Sequence, residues 1–334
     1  MSLKQIAAEL KLSLTTVSRA LNDYPEVAEG TRLQVQAAAQ RLGYRPNATA
    51  RRLALGKAEA VGMVLPIVPG QLASDVQFLT VAAAMTERLA RDGMDLLLVS
   101  APQDHELRAY ERAIAARRVD AFVVARTQVQ DERLQLLARH GMPFVAYGRT
   151  EDSQLPAHAW LDFDNHSGGR QAAEHFLASG LRRMGYVGAP PGYSFAAQRH
   201  AGFAAAVQAA GDAALPPAAV RRDAFDALSG YRAMQQLLAL PDMDRPQAVL
   251  VDNDLAGQGA LQAVKEQGLQ LGQGLELAVY GELPPEAAPP GLLCVRQADS
   301  AATGVELAEM VLGLLRGEPL QGLQRLHPPT LQRS

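Results

Sequence analysis

The chain has 334 residues, 48% of them hydrophobic and 20% charged, with a formal net charge of −3. That length exceeds what one hydrophobic core usually serves, and the composition excludes disordered, fibrous and disulfide-stapled classes. Cys294 is the single cysteine, no apolar run is long enough to span a bilayer, and "MSLKQIAAELKLS" lacks the apolar stretch of a secretory signal, so a reducing cytoplasm is the expected compartment.

The charge is unevenly spread. Residues 1–60 carry nine Lys/Arg against five acids, so the negative balance belongs to the rest of the chain. A basic head on an acidic body suggests a polyanionic partner for the head alone.

Residues 2–55 read as short helices. Ser2 and Gln5 form a capping-box pair ahead of Ile6, Ala7 and Leu10, and Ser13 is a good N-cap for a helix from Leu14 to Leu21. A third helix is expected from about Thr31 to Leu42, ending at Gly43. In the second helix Thr15, Ser18, Arg19 and Asn22 share one face and Val17, Ala20 and Leu21 the other. Two helices joined by a tight turn, the second with a donor-rich outer face, describe a helix-turn-helix, whose second helix fits the DNA major groove. Arg19 has the fork for guanine O6/N7, Thr15 and Thr16 offer hydroxyls, and Leu14 or Thr15 suits a thymine methyl. Asn47 then caps "ATARRLAL", only about two turns long and too short for an isolated helix. Arg51, Arg52 and Leu53 in such a segment fit a helix that forms in a minor groove, with the leucine as a wedge.

From Val61 short apolar strands alternate with amphipathic helices. Strands are predicted at 61–66, 94–100, 119–125, 143–147, 158–163, 183–188, 248–252, 276–280 and 292–296, with helices at 76–92, 104–117, 166–179, 198–210, 229–239 and 255–267. Such alternation predicts two doubly wound parallel α/β subdomains, whose ligands sit beyond the carboxyl ends of the strands. Phe78 opens the first body helix, Arg149 follows a strand end, and Asn253 and Asp254 lie just past "AVLVD". Trp160, the only tryptophan, is either a further candidate to stack on a ligand ring or, more simply, a packed strand residue. No metal-ligand spacing, nucleophile elbow or phosphate loop occurs, so no cofactor, metal or enzyme activity is expected. Gly168-Gly169 opens a helix and reads as close packing more readily than as an anion site.

The stretches "LKQIAAELKLSLTTVSRALND" and "RLGYRPNATARRLALGKAEAVGMVLP" resemble the LacI/GalR family of bacterial repressors. The resemblance continues through "DFDNHSGGRQAAEHFLASGLRRMGYVG", "FAAQRHAGF" and "VRQADSAATG" to the chain's end. It implies an all-α head at 1–46, a hinge helix and linker at 47–60, and a body at 61–334 with the fold of periplasmic sugar-binding proteins. The N-subdomain is expected at 61–161 and 292–322, the C-subdomain at 162–291 and 323–334. It further implies that Leu14, Thr15 and Arg19 read base edges, that Leu53 levers open the operator's centre, and that Arg199 holds effector hydroxyls or carboxylates, with Phe225 as an aromatic wall of the pocket. The implied partners are a pseudo-palindromic operator duplex, a mono- or disaccharide of α-glucoside type acting as inducer, and a second copy of the chain, with no membrane. The implied setting is the bacterial cytoplasm, at the nucleoid when bound to DNA. Rival readings are a sugar-binding protein or sugar-metabolising enzyme without a DNA role. Three positions depart from the family pattern. Lys11 stands where a turn glycine is usual, and Ala28 where a serine caps the third helix. "VYGELPP" puts Leu283 at a sugar-binding aspartate's position, with Glu282 one residue early, so either Glu282 substitutes or the sugar is held without that carboxylate.

Overall fold

The structure, a computed structural model, describes residues 2–22, 24–44, 56–67, 76–283 and 287–334. Its contacts divide the chain into two compact units, Met1–Glu59 and Ala60–Ser334. Asn47, Arg51, Arg52 and Leu53, expected in the hinge helix, lie outside the described residues.

The first unit contains helices α1 (Leu3–Leu10), α2 (Leu14–Leu21) and α3 (Glu29–Arg41). Their apolar faces meet around Ile6, Ala7, Val17, Ala20, Val35 and Ala38. At the start of α1 the Ser2 backbone N–H donates to Gln5 Oε1 at 2.9 Å, the capping pair foreseen from sequence. Lys11 closes α1 at φ 55, in the left-handed region. The turn therefore keeps its shape with lysine in place of glycine, at a cost of about 1 kcal/mol. Ala28 precedes α3 without a side-chain cap.

The second unit holds two six-stranded sheets. Strands β1 (Ala60–Ile67), β2 (Asp95–Pro102), β3 (Ala121–Ala125), β4 (Phe144–Tyr147), β5 (Ala159–Phe163) and β11 (Gln324–His327) form the first, in the order β11-β5-β4-β3-β1-β2, all parallel. Strands β6 (Met184–Val187), β7 (Val220–Arg221), β8 (Ala248–Val251), β9 (Glu276–Tyr280), β10 (Leu293–Arg296) and β12 (Thr330–Arg333) form the second, in the order β12-β10-β9-β8-β6-β7. Only β12 runs antiparallel there.

The pairing moves the expected subdomain boundaries. Strand 293–296, assigned from sequence to the N-subdomain, pairs with β9 and packs Leu293, Cys294 and Val295 into the second subdomain's cores. Strand 324–327, assigned to the C-subdomain, pairs instead with β5 of the first sheet. The chain thus passes between sheets after β5, after β10 and after β11, which makes three crossovers.

Helices α4 (Val76–Ala90), α5 (Glu106–Ala115), α6 (Glu132–Arg139) and α11 (Ser300–Leu315) belong with the first sheet. Helices α7 (Asn165–Ala178), α8 (Ser194–Ala209), α9 (Ala227–Leu238) and α10 (Asp254–Glu266) belong with the second. Helices α7 and α8 approach closely because both contribute glycine where they touch. A Cβ at Gly169 would run into the Arg199 carbonyl, and one at Gly202 into the His166 carbonyl. A Cβ at Gly168 would meet the Tyr280 ring. The Gly168-Gly169 pair therefore serves packing, as its bland reading held, and the packing sets where Arg199 sits.

Candidate functional site

In the head, burial of Val17 and Ala20 turns the opposite face of α2 outward. Thr15 and Arg19 are exposed, Thr16 and Ser18 half-buried, and Leu14 is 45% exposed at the first turn. An apolar side chain this open beside hydroxyls and a guanidinium has the chemistry to meet both a thymine methyl and base edges. Two of the expected reading residues are partly engaged within the helix. Thr16 donates its N–H to the capping Ser13 Oγ at 3.0 Å, and the two hydroxyls lie 2.8 Å apart. Asn22 donates from Nδ2 to the Ser18 carbonyl at 2.8 Å. Its amide thus closes the carboxyl end of α2, adding a side-chain donor to a carbonyl that already accepts the Asn22 N–H at 3.2 Å.

In the body, a cavity opens between the two subdomains at the carboxyl ends of β3, β4, β5 and β9. Five of the eight expected effector residues line it: Phe78, Arg199, Phe225, Asn253 and Asp254. Its floor is a connected polar network. Asp162 is the next-to-last residue of β5 and Asn165 begins α7, so the crossover itself brings them together, and Asn165 Nδ2 donates to Asp162 Oδ1 at 3.1 Å. Arg199 Nε donates to Asn165 Oδ1 at 2.8 Å, and its Nη1 donates to the Asp252 carbonyl. The Arg199 guanidinium lies 3.4 Å from the Tyr280 ring centroid and 4.7 Å from that of Phe195. Only 8% of Arg199 is exposed. The fork is thus fixed by packing and hydrogen bonds on several sides, preorganised for vicinal hydroxyls.

Burial raises the Asp162 carboxyl above its usual pKa, with the bond from Arg149 acting against it. Burial likewise raises Asp252, which accepts from the Tyr186 hydroxyl at 3.0 Å and from the Ala189 N–H at 3.0 and 3.1 Å. Asn253, though on the cavity wall, uses its side chain structurally. Its Oδ1 accepts from the Ala256 N–H at 2.8 Å to cap α10, and its Nδ2 donates to the Ala224 carbonyl at 3.0 Å.

Three expected effector residues fall outside the cavity lining. Arg149 turns back into the protein, donating from Nε to Asp162 Oδ2 at 3.0 Å with its guanidinium 5.3 Å from the Trp160 ring centroid. Trp160 shares the Asp162 side of β5 but lies two residues nearer the strand's start, outside the cavity lining, where its ring meets the Arg149 guanidinium. Glu282 ion-pairs with Arg296 at 3.4 Å, while Leu283 is buried in the second subdomain's core. No carboxylate is therefore supplied from 282 or 283; Asp254 lines the cavity instead. Sequence reasoning missed Arg126, Thr127, Tyr147, Asp162, Asn165, Phe195, Tyr280 and Gln297, which also line it. The strand-end position that singled out Asn253 applies equally to Arg126, Tyr147, Asp162 and Tyr280. Cys294 is buried, and burial pushes its thiol pKa up, which leaves it unreactive.

Among the described residues no helix is long and apolar enough to cross a membrane, and no cluster of side chains suits a metal ion. Residues 2–47 match the profile of bacterial regulatory proteins of the lacI family, and residues 59–321 that of periplasmic binding proteins and the sugar binding domain of the LacI family. The HTH-type transcriptional regulator RafR of Escherichia coli is 36% identical over 326 residues, 97% of this chain and 95% of RafR. The HTH-type transcriptional regulator AglR of Rhizobium meliloti (strain 1021) is 34% identical over 316 residues, 93% of this chain and 87% of AglR. Among solved structures, the transcriptional regulator CelR–cellobiose complex superposes with a TM-score of 0.71 at 25% identity, covering 100% of this chain and 99% of CelR. A helix-turn-helix head and a two-sheet body with a polar cleft, matched end to end by regulators rather than enzymes, make this chain a member of the LacI family of DNA-binding transcriptional regulators.

Proposed function

We propose that the chain is a repressor that binds a pseudo-palindromic operator as a homodimer and releases it when a mono- or disaccharide enters the cavity. The observation that carries this reading is the cavity floor. Asp162, Asn165 and Arg199 form one hydrogen-bonded chain that runs from the end of the first sheet into α8 of the second subdomain. A polyhydroxylated ligand bound to these groups holds both subdomains at once, so its binding favours one arrangement of the pair over others. DNA affinity and sugar affinity are then linked reciprocally. The CelR–cellobiose complex, a related regulator, supports a disaccharide as ligand class.

In this reading Leu14, Thr15, Ser18 and Arg19 contact base edges and Thr16 and Asn22 hold α2 in shape beside them. Asn47 caps a hinge helix that lays Arg51, Arg52 and the Leu53 wedge in the minor groove. Residues 1–46 are the head, 47–60 the hinge and linker, and the rest the sugar-binding and dimerising body. A C₂ dimer matches a two-fold operator because each half-site then meets one head. The protein works in the bacterial cytoplasm, at the nucleoid when DNA-bound.

The test is titration of purified protein against DNA from upstream of its own and neighbouring genes, with and without mono- and disaccharides. Tight, salt-sensitive binding relieved by one sugar is expected. Tight binding that sugars strengthen would make the sugar a corepressor, and the absence of any specific site would overturn the repressor reading.

A further inference from the structure

Arg126 stands in the cavity wall with φ 53, a left-handed conformation that disfavours any residue with a Cβ. Its backbone is fastened by a buried ionic cluster. Arg133 Nη2 donates to the Arg126 carbonyl at 2.9 Å. The same guanidinium bonds Asp131 at 2.7 and 2.9 Å and Glu106 at 2.8 Å, and Asp131 also accepts the Gln128 N–H at 3.0 Å. Arg133, Asp131 and Glu106 are 5%, 0% and 7% exposed. Burying two carboxylates with one guanidinium is a poor way to stabilise a fold. The cluster does two things: Asp131 caps α6 by accepting the Arg133 and Leu134 N–H groups, and Arg133 and Asp131 together fix the geometry of residues 126–128.

That segment reaches across the cleft. The Val129 N–H donates to the Gly192 carbonyl at 2.9 Å and the Ser194 N–H to the Thr127 carbonyl at 2.9 Å, an antiparallel bridge between the subdomains. Beside it the Arg126 guanidinium lies 5.0 Å from the Phe225 ring centroid, and Phe225 stacks on Tyr193 at 5.2 Å. Asp162, Asn165 and Arg199 are buried, whereas Arg126 and Phe225 are half-buried, so these two belong to the mouth and the polar network to the floor.

We propose that Arg126 is a specificity-determining residue of this cavity, held across its mouth to read the outer ring of a two-ring glycoside whose inner ring sits on Asp162, Asn165 and Arg199. The inference rests on the sugar reading of the same cavity. The floor already offers an acid, an amide and a guanidinium to one ring. The mouth adds a planar fork that suits vicinal hydroxyls and an aromatic face that suits the C–H side of a second ring. Arg133, Asp131 and Glu106 act through Arg126 as positioning residues.

R126G tests this cleanly, because glycine adopts φ 53 without strain and the variant should fold as well as the parent. Calorimetric titration of wild type, R126G and R126K would use glucose and galactose against maltose, melibiose, sucrose and cellobiose. Loss of a charged hydrogen-bonding group should weaken the best disaccharide by about tenfold or more in R126G. Monosaccharide affinity should hold, with R126K in between. Equal weakening of both classes, or of neither, would overturn the role of Arg126 while leaving the sugar reading intact. So would a wild type that prefers monosaccharides. A wild type that binds no sugar would overturn the sugar reading, and this inference with it.

Discussion

Arg199→Ala is the perturbation whose consequences the structure defines most fully. Sequence reasoning makes it a clean probe of the pocket, expected to abolish the sugar response and leave operator binding intact. The structure adds a second effect, because the same side chain is part of the body's architecture. Removing it orphans Asn165 Oδ1 and the Asp252 carbonyl and strips a guanidinium from the Tyr280 and Phe195 rings. An unsatisfied buried acceptor costs about 1–3 kcal/mol. Asn165 borders the cavity, where water can replace the guanidinium, so the lower half of that range applies to it, whereas Asp252 is fully buried away from the lining and takes the whole range, giving about 2–5 kcal/mol in all. For a unit of this size that lowers the melting temperature by on the order of 5–10 °C. Sugar affinity should fall at least about a hundredfold, since charged hydrogen bonds are lost from the ligand as well. Operator affinity without sugar should remain, provided it is measured well below the lowered melting point. Scanning calorimetry and sugar titration on the same preparation check both effects. A variant that melts and binds sugar like the wild type would refute the reasoning, since Arg199 would then be neither support nor ligand.

Three further outcomes are expected. Arg19→Ala should weaken operator binding by about 1–3 kcal/mol and relax the preference at one base pair per half-site, measured by titrating single-base operator variants; an unchanged preference would remove Arg19 from the reading face. Gly202→Ala should destabilise the body by about 3 kcal/mol or more, although alanine is the better helix former, because its Cβ meets the His166 carbonyl; a neutral or stabilising melt would mean α7 and α8 can part freely. His200 packs edge-on to Tyr186 at 4.9 Å, and burial, with the nearby Arg222 charge, lowers its pKa from the usual 6.5. A lowered folded-state pKa means the unfolded chain binds the proton more readily. The contribution is therefore full above about pH 6.5 and is lost as pH falls through the folded value. His200→Phe should flatten the fall of melting temperature between about pH 7 and pH 5, and parallel slopes would remove His200 from the acid response.

The head was legible because it is read locally. Caps, a helical period and one turn fix α1 and α2, and the burial of Val17 and Ala20 leaves Arg19 no direction but outward. Asn22 shows the limit of that local reading. Helical spacing puts it on the Arg19 face but does not register that a terminal amide can bond its own helix's carbonyl. In the body, strands and most helices follow from alternation, whereas the edge strands β7, β11 and β12 are short and half-polar and carry no such signal. The subdomain boundary failed at β10 and β11 because pairing between distant segments, not local pattern, decides which sheet a strand joins.

The cavity shows how far a linear reading reaches. Arg199, Phe225, Asn253 and Asp254 are reached through motif or strand-end position, and Phe78 through its place at the start of the first body helix. Arg149 and Glu282 satisfy the same criteria and face elsewhere, since a strand end specifies a place but not a side-chain direction, and Trp160, singled out only as the sole tryptophan, is packed within its strand's surroundings instead. Arg149 is the instructive case. It lies one bond behind the cavity, holding through Asp162 the carboxylate that faces the ligand space. Asp162 pays for that burial with a raised pKa, and without the Arg149 bond the carboxyl would shift further toward its neutral form. A residue that misses the ligand can therefore still set how firmly the floor holds its carboxylate charged and in place for a ligand hydroxyl. Arg149→Met should accordingly leave the cavity's shape in place and change which hydroxyls it favours.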